Sequence, residues 1–149
     1  MNYQHVLTSL MQAETMVREA FIKTAEYHKT EVGIYYDCQF MSSVSEENIA
    51  IIKNLLSIHS VEYDPGSADL SLLTDQFYPG SNLADDLTYI MKLKLETEEG
   101  SRSLLNSSSE EDKAKGEILR RNSQKQISWL SEYLEESLSS GKRTGNLLL

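Results

Sequence analysis

The strongest helix breakers are confined to one place in this chain. Its two prolines, Pro65 and Pro79, both fall in DPGSADLSLLTDQFYPGSN, residues 64–82, with two of the seven glycines. Proline lacks the N–H that a helix needs and clashes with the preceding turn, so its absence elsewhere leaves two long stretches free to run as helices. The fold class this predicts is all-α. The 64–82 segment also carries Leu70, Leu72, Leu73, Phe77 and Tyr78, which marks it as a connection that packs on something. A link this long inside a compact domain carries the chain from one end of a bundle to the other.

Apolar periodicity divides the two stretches into four helices. Leu7, Leu10, Glu14, Val17, Phe21, Ala25, His28, Val32 and Tyr35 recur at three- and four-residue steps, predicting a helix over about 2–38 with two polar interruptions, Glu14 and His28. FMSSVSEEN breaks that stripe, and Ser43 or Ser45 ahead of Glu46 and Glu47 is a plausible N-cap for a second helix over 44–62. Its expected inward line is Val44, Glu47, Ile51, Leu55 and Ile58, and it should end before Asp64-Pro65. A third helix over 83–106 turns Leu83, Leu87, Ile90, Leu93, Glu96 and Leu104 inward; a fourth, over 109–138, turns Leu119, Ser123, Gln126, Leu130 and Tyr133 inward. Ser109 and Asp112 have the spacing of a capping box. Short links make each successive pair antiparallel, so the expected architecture is two helical hairpins joined by the 64–82 crossover. Residues 1–138 form one domain, and SSGKRTGNLLL, residues 139–149, reads as a frayed tail whose leucines offer a docking peptide.

Charge narrows the partners. A net charge of −9 repels nucleic acid and anionic lipid, both of which are bound by neutralising phosphate with Lys and Arg. No run approaches the ~18 apolar residues of a membrane span, and MNYQHVLTSL lacks the layout of a secretory leader. A lone cysteine, Cys38, excludes an internal disulfide and reads as a small core residue in a reducing compartment, which predicts a cytoplasmic protein. Nucleophilic catalysis finds no support, because Cys38 has no histidine close to it in sequence and neither a G-x-S-x-G elbow nor a glycine-rich phosphate loop is present.

Three stretches carry a family resemblance. LMQAETMVREAF in the first helix, LKLETEEG in the third and EILRRNSQKQISWLSEYLEE in the fourth resemble, in order and spacing, the ferritin-like superfamily, its bacterioferritin and rubrerythrin-like members above all. I-S-W-L is the sharpest match. The resemblance covers nearly the whole chain and implies a ferritin-like four-helix bundle. In that family a glutamate from each of two helices and a Glu-x-x-His from each of the other two hold a pair of irons, because residues i and i+3 aim at one point.

Set against that pattern, Glu14 and Glu96 match the single glutamates, and Glu47 matches the glutamate of the second helix. Ala50 stands where its histidine should be, and Ser123 and Gln126 occupy the glutamate and histidine positions of the fourth helix. The resemblance therefore implies a vacated di-iron centre in a bundle that works as a non-catalytic binding or structural protein, as a homodimer or through a protein partner on its helix faces or tail. Ser123 and Gln126 are expected to hydrogen-bond the surviving glutamates. The alternative is a divergent protein that oxidises or stores iron, since three carboxylates can still hold iron or another divalent cation. His28, one turn from Thr24 and Glu31, is a further ligand candidate, although a satisfied core or edge histidine is the commoner case; His59 with Glu62 reads as a solvated pair.

Overall fold

The computed structural model describes residues 1–64, 77–80 and 82–147, with side chains as far as residue 136. The described residues form four helices and no strand: α1 Tyr3–Tyr27, α2 Val32–Ile58, α3 Leu83–Leu105 and α4 Glu110–Leu147. Helix α1 packs on α2 and α3, and α4 packs on α3 and α2. Tyr3, at the start of α1, lies against Ser107 beyond the end of α3, while His28, at the end of α1, meets Asp86 at the start of α3. On the other side His59 reaches Asp112, and Asp37 reaches Trp129. Each helix is thus antiparallel to both of its neighbours. The end of α2 and the start of α3 consequently lie at opposite ends of the bundle, whose length is about 37 Å for the 25 residues of α1. Of the predicted crossover, residues 65–76 and 81 lie outside the described residues, including Leu70, Leu72 and Leu73. Phe77 packs on the core and Tyr78 is exposed.

The first hairpin turns earlier than the serine-rich stretch suggests. The chain leaves helix at residues 28–31 and is helical throughout FMSSVSEEN. Ser42 and Ser43 donate their hydroxyls to the carbonyls of Gln39 and Phe40, three residues back, which accommodates both within the helix. The corner itself contains neither glycine nor proline. Its turn is closed by a Glu31 N–H to His28 carbonyl bond while the His28 ring leaves for Asp86.

Helix α2 ends well before Pro65. Ser60 adopts φ 52°, and the Val61 N–H returns to the Leu56 carbonyl at 2.9 Å, a Schellman closure with serine where glycine is usual. Asn82 caps α3 by accepting from the N–H groups of Ala84 and Asp85. Half of the expected capping box at α4 is present: the Asp112 N–H donates to Ser109 Oγ at 3.3 Å. Residues 139–147, expected as a frayed tail, continue α4.

Buried positions follow heptad-like spacing, the seam geometry of a helical bundle. In α1 these are Leu7, Leu10, Glu14, Val17, Phe21 and Thr24; in α3, Leu83, Leu87, Ile90, Lys94, Thr97, Ser101 and Leu104. Two apolar clusters result. One is built on Val17, Phe21, Cys38, Leu87, Ile90 and Leu130, the other on Leu7, Leu10, Ile52, Leu55, Leu104 and Leu119. Between them lies a belt of polar side chains.

Candidate functional site

All four helices contribute to that belt. Lys94 of α3 donates from Nζ to Glu14 Oε2 at 3.0 Å and Oε1 at 3.3 Å; Asn48 of α2 donates to Glu14 Oε1 at 3.2 Å; Asn122 of α4 donates to Asn48 Oδ1 at 2.8 Å. Lys94 is fully buried and Glu14 is 2% exposed. A carboxylate this far from water needs a charge partner or a proton. Here an ammonium supplies the partner, and both carboxylate oxygens are occupied.

The residues singled out by sequence do not converge. Glu14 lies at the centre of the belt as expected, but Glu47 and Ala50 are exposed and Glu96 is half-buried beside a groove between α1 and α3 lined by His5, Glu99 and Gly100. The reason is a one-residue shift of face. Helix α2 turns Cys38, Met41, Ser45, Asn48, Ile52 and Leu55 inward, so Asn48 occupies the inward place assigned to Glu47, and in α3 Lys94 and Thr97 occupy that assigned to Glu96. Among the described residues no three His, Cys, Asp or Glu side chains come together in a way that could hold a metal ion. Ser123 and Gln126 are buried on the predicted face of α4. Gln126 donates to the Met41 carbonyl at 2.9 Å and to Ser45 Oγ at 2.8 Å, a bond to α2 rather than to a glutamate.

Lys94 and Asn48 escape the sequence reading because it sets the polar inward positions one residue or two away, at Glu96 and Glu47. The signal available was spacing alone: 87, 90, 94, 97, 101, 104 continues unbroken through the lysine.

A histidine–aspartate pair closes each end of the bundle. His28, the C-cap of α1, approaches Asp86 Oδ2 at 2.8 Å, and Asp86 Oδ1 accepts the Gly80 N–H at 2.8 Å. His59, the C-cap of α2, approaches Asp112 Oδ1 at 2.7 Å, and its ring stacks on Tyr3 at 3.7 Å. His28 and His59 thus each have an aspartate partner from the second hairpin, where the sequence suggests a ligand or satisfied core residue for His28 and a pair with Glu62 for His59. Tyr3 and Ser107 also donate to Asp112, at 2.6 and 3.0 Å. Burial raises the Asp112 pKa, but the hydrogen bonds from Tyr3, His59 and Ser107 outweigh it and hold the carboxyl below its ordinary value. This is not a hydrolytic triad. The Ser107 hydroxyl donates to the carboxylate and not to the imidazole, whereas an activated nucleophile needs the imidazole as base.

A second concavity, about 350 Å³, lies where the start of α2 faces α4. Trp129 and Tyr133, stacked with ring centroids 6.0 Å apart, line it with Glu31, Asp37, Glu132 and Glu136. Trp129 Nε1 donates to Asp37 Oδ2 at 3.2 Å. Behind it, Cys38 is fully buried, and burial followed by the Asp37 charge pushes its thiol up to about 12. No helix of the described residues is long and apolar enough to cross a membrane. No family model, curated protein or solved structure matches the chain.

Proposed function

We propose that this chain is a ferritin-like four-helix bundle without a working di-iron centre, acting as a non-catalytic binding or structural protein. The observation that carries this reading is the Glu14–Lys94 pair. Glu14 is the glutamate of the resemblance that reaches the core, and its charge is already balanced by an ammonium from the neighbouring helix. A metal ion there would have to displace Lys94 Nζ and set two buried like charges against each other. The end-to-end connection between two antiparallel hairpins supports the ferritin-like part of the reading. The proposal places the bundle in the cytoplasm, where a free thiol such as Cys38 stays reduced. It also includes assembly as a homodimer, for which Ile22 on α1 and Leu95 on α3 are exposed apolar side chains.

Metal analysis after aerobic loading with ferrous iron tests the reading. The expected result is sub-stoichiometric iron and no iron-dependent oxygen uptake. Stoichiometric iron that is lost in Glu14→Gln would overturn it in favour of iron oxidation or storage. Light scattering tests the dimer, and a monodisperse monomer would remove that part.

A further inference from the structure

We infer that the aromatic groove between α2 and α4, with the apolar stripe that continues from it, docks an amphipathic basic helix from another protein. The inference rests on the non-catalytic binding role and names the chemistry of the partner.

Three large apolar side chains stand on one line of α2, four residues apart: Val32 and Tyr36, each 63% exposed, and Phe40, 56% exposed. A stripe of i, i+4, i+8 side chains left in water matches the apolar face of a second helix laid alongside it. Val32 belongs to both the stripe and the groove, so the two form one surface. The groove end is acidic: Glu31, Asp37, Glu132 and Glu136 line it, and among the described residues no lysine or arginine does. The Tyr133 pKa is raised, first by burial, then by Glu31, with Cys38 and Glu136 behind it, so the carboxylates are felt inside the groove. Two aromatic rings beside these carboxylates form a seat for a guanidinium or ammonium, held by cation–π attraction and by charge.

Charge complementarity selects the occupant. A second copy of this chain carries a net charge of −9 and, in a two-fold contact over the groove, would set the same four carboxylates against each other. A helix with apolar residues at four-residue steps, flanked by Lys or Arg, covers the stripe and neutralises the groove. The volume, about 350 Å³, accommodates one or two such basic side chains.

Trp129 is the chain's only tryptophan, which makes the groove its own reporter. The full chain is titrated with a synthetic helical peptide bearing Leu at i, i+4 and i+8 and Arg on its flanks, while Trp129 emission and heat are followed. Expected are saturable 1:1 binding and a change in emission, weakened at least tenfold by Tyr36→Ser/Phe40→Ser and by Asp37→Asn/Glu132→Gln, with helical circular dichroism unchanged. Raising salt from 0.05 to about 0.5 M should weaken binding further, because the groove charges are exposed and screened. Equal binding by a scrambled peptide of the same charge would reduce the site to nonspecific electrostatics and overturn the inference. So would unchanged affinity in both double variants, no saturable binding, or a dimer in solution that Phe40→Asp dissociates. Stoichiometric iron uptake alongside peptide binding would instead sink the proposed loss of the metal centre, leaving the docking surface standing.

Discussion

Lys94 Nζ lies 3.0 Å from Glu14 Oε2 between two apolar clusters, and neither side chain has appreciable contact with solvent. Burying two charges costs more than their attraction returns unless further hydrogen bonds complete the site, as Asn48 does here. The pair is therefore expected to matter far more when broken than when replaced. Lys94→Met should cost about 3–5 kcal/mol by denaturant unfolding, because it strands a buried carboxylate. Glu14→Gln/Lys94→Met leaves Asn48 an acceptor and should recover most of that loss. A double variant destabilised by the sum of the Lys94→Met and Glu14→Gln losses would show that the two residues are not coupled.

Asp112 sets an acid limit on stability. Its folded pKa lies below the ordinary value of 3.8, so the group contributes its full stabilisation above that value. That contribution is lost as pH falls through the lower folded value. Acid unfolding followed by circular dichroism should show Tyr3→Phe, which removes a donor to the carboxylate, losing stability at neutral pH by about 1.5–3 kcal/mol. The same variant should show a weaker pH dependence below pH 4 than the parent chain.

Cys38 should be chemically silent while the chain is folded. With the thiol pushed up to about 12 and no exposed surface, almost none is thiolate at pH 8. A disulfide reagent such as Ellman's should release no colour from the native protein at that pH and one equivalent in denaturant. Rapid native labelling would mean that the start of α2 opens locally.

Two backbone positions should respond oppositely to small substitutions. Ser60 occupies left-handed space at φ 52°, so Ser60→Gly should stabilise by about 1 kcal/mol, read as a higher denaturation midpoint. Gly100 lies against α1, where a Cβ would fall 2.7 Å from Leu10 Cγ. Gly100→Ala should therefore destabilise by about 1–3 kcal/mol through overpacking, although alanine is the better helix former.

What the sequence made legible tracks the strength of the local signal. The all-α class and the presence of four helices could be read because proline and hydrophobic period act over many residues. Ser109 announces a helix start through a side chain that serves the adjacent backbone, and Asn82 caps α3 in the same way. The 28–31 corner could not be read, since its turn uses His28 and Glu31 backbone groups and no residue with special φ/ψ preference. The polar belt was half legible. Glu14, Ser123 and Gln126 stood on otherwise apolar lines, whereas Asn48 and Lys94 each adjoin a more hydrophobic reading of the same helix, and only tertiary partners decide between faces one residue apart.

Apolar layers in a bundle are close to interchangeable, and a slide of one heptad, about 10 Å, would set leucine against leucine again. The polar stations are not interchangeable. His28 finds Asp86 at one end, His59 finds Asp112 at the other, and Lys94 finds Glu14 midway. Any slipped alignment would misplace all three at once and strand several buried charges or donors. Those pairs index the second hairpin against the first like marks on a ruler, so the position of each surface feature along the bundle axis is set to within a single turn.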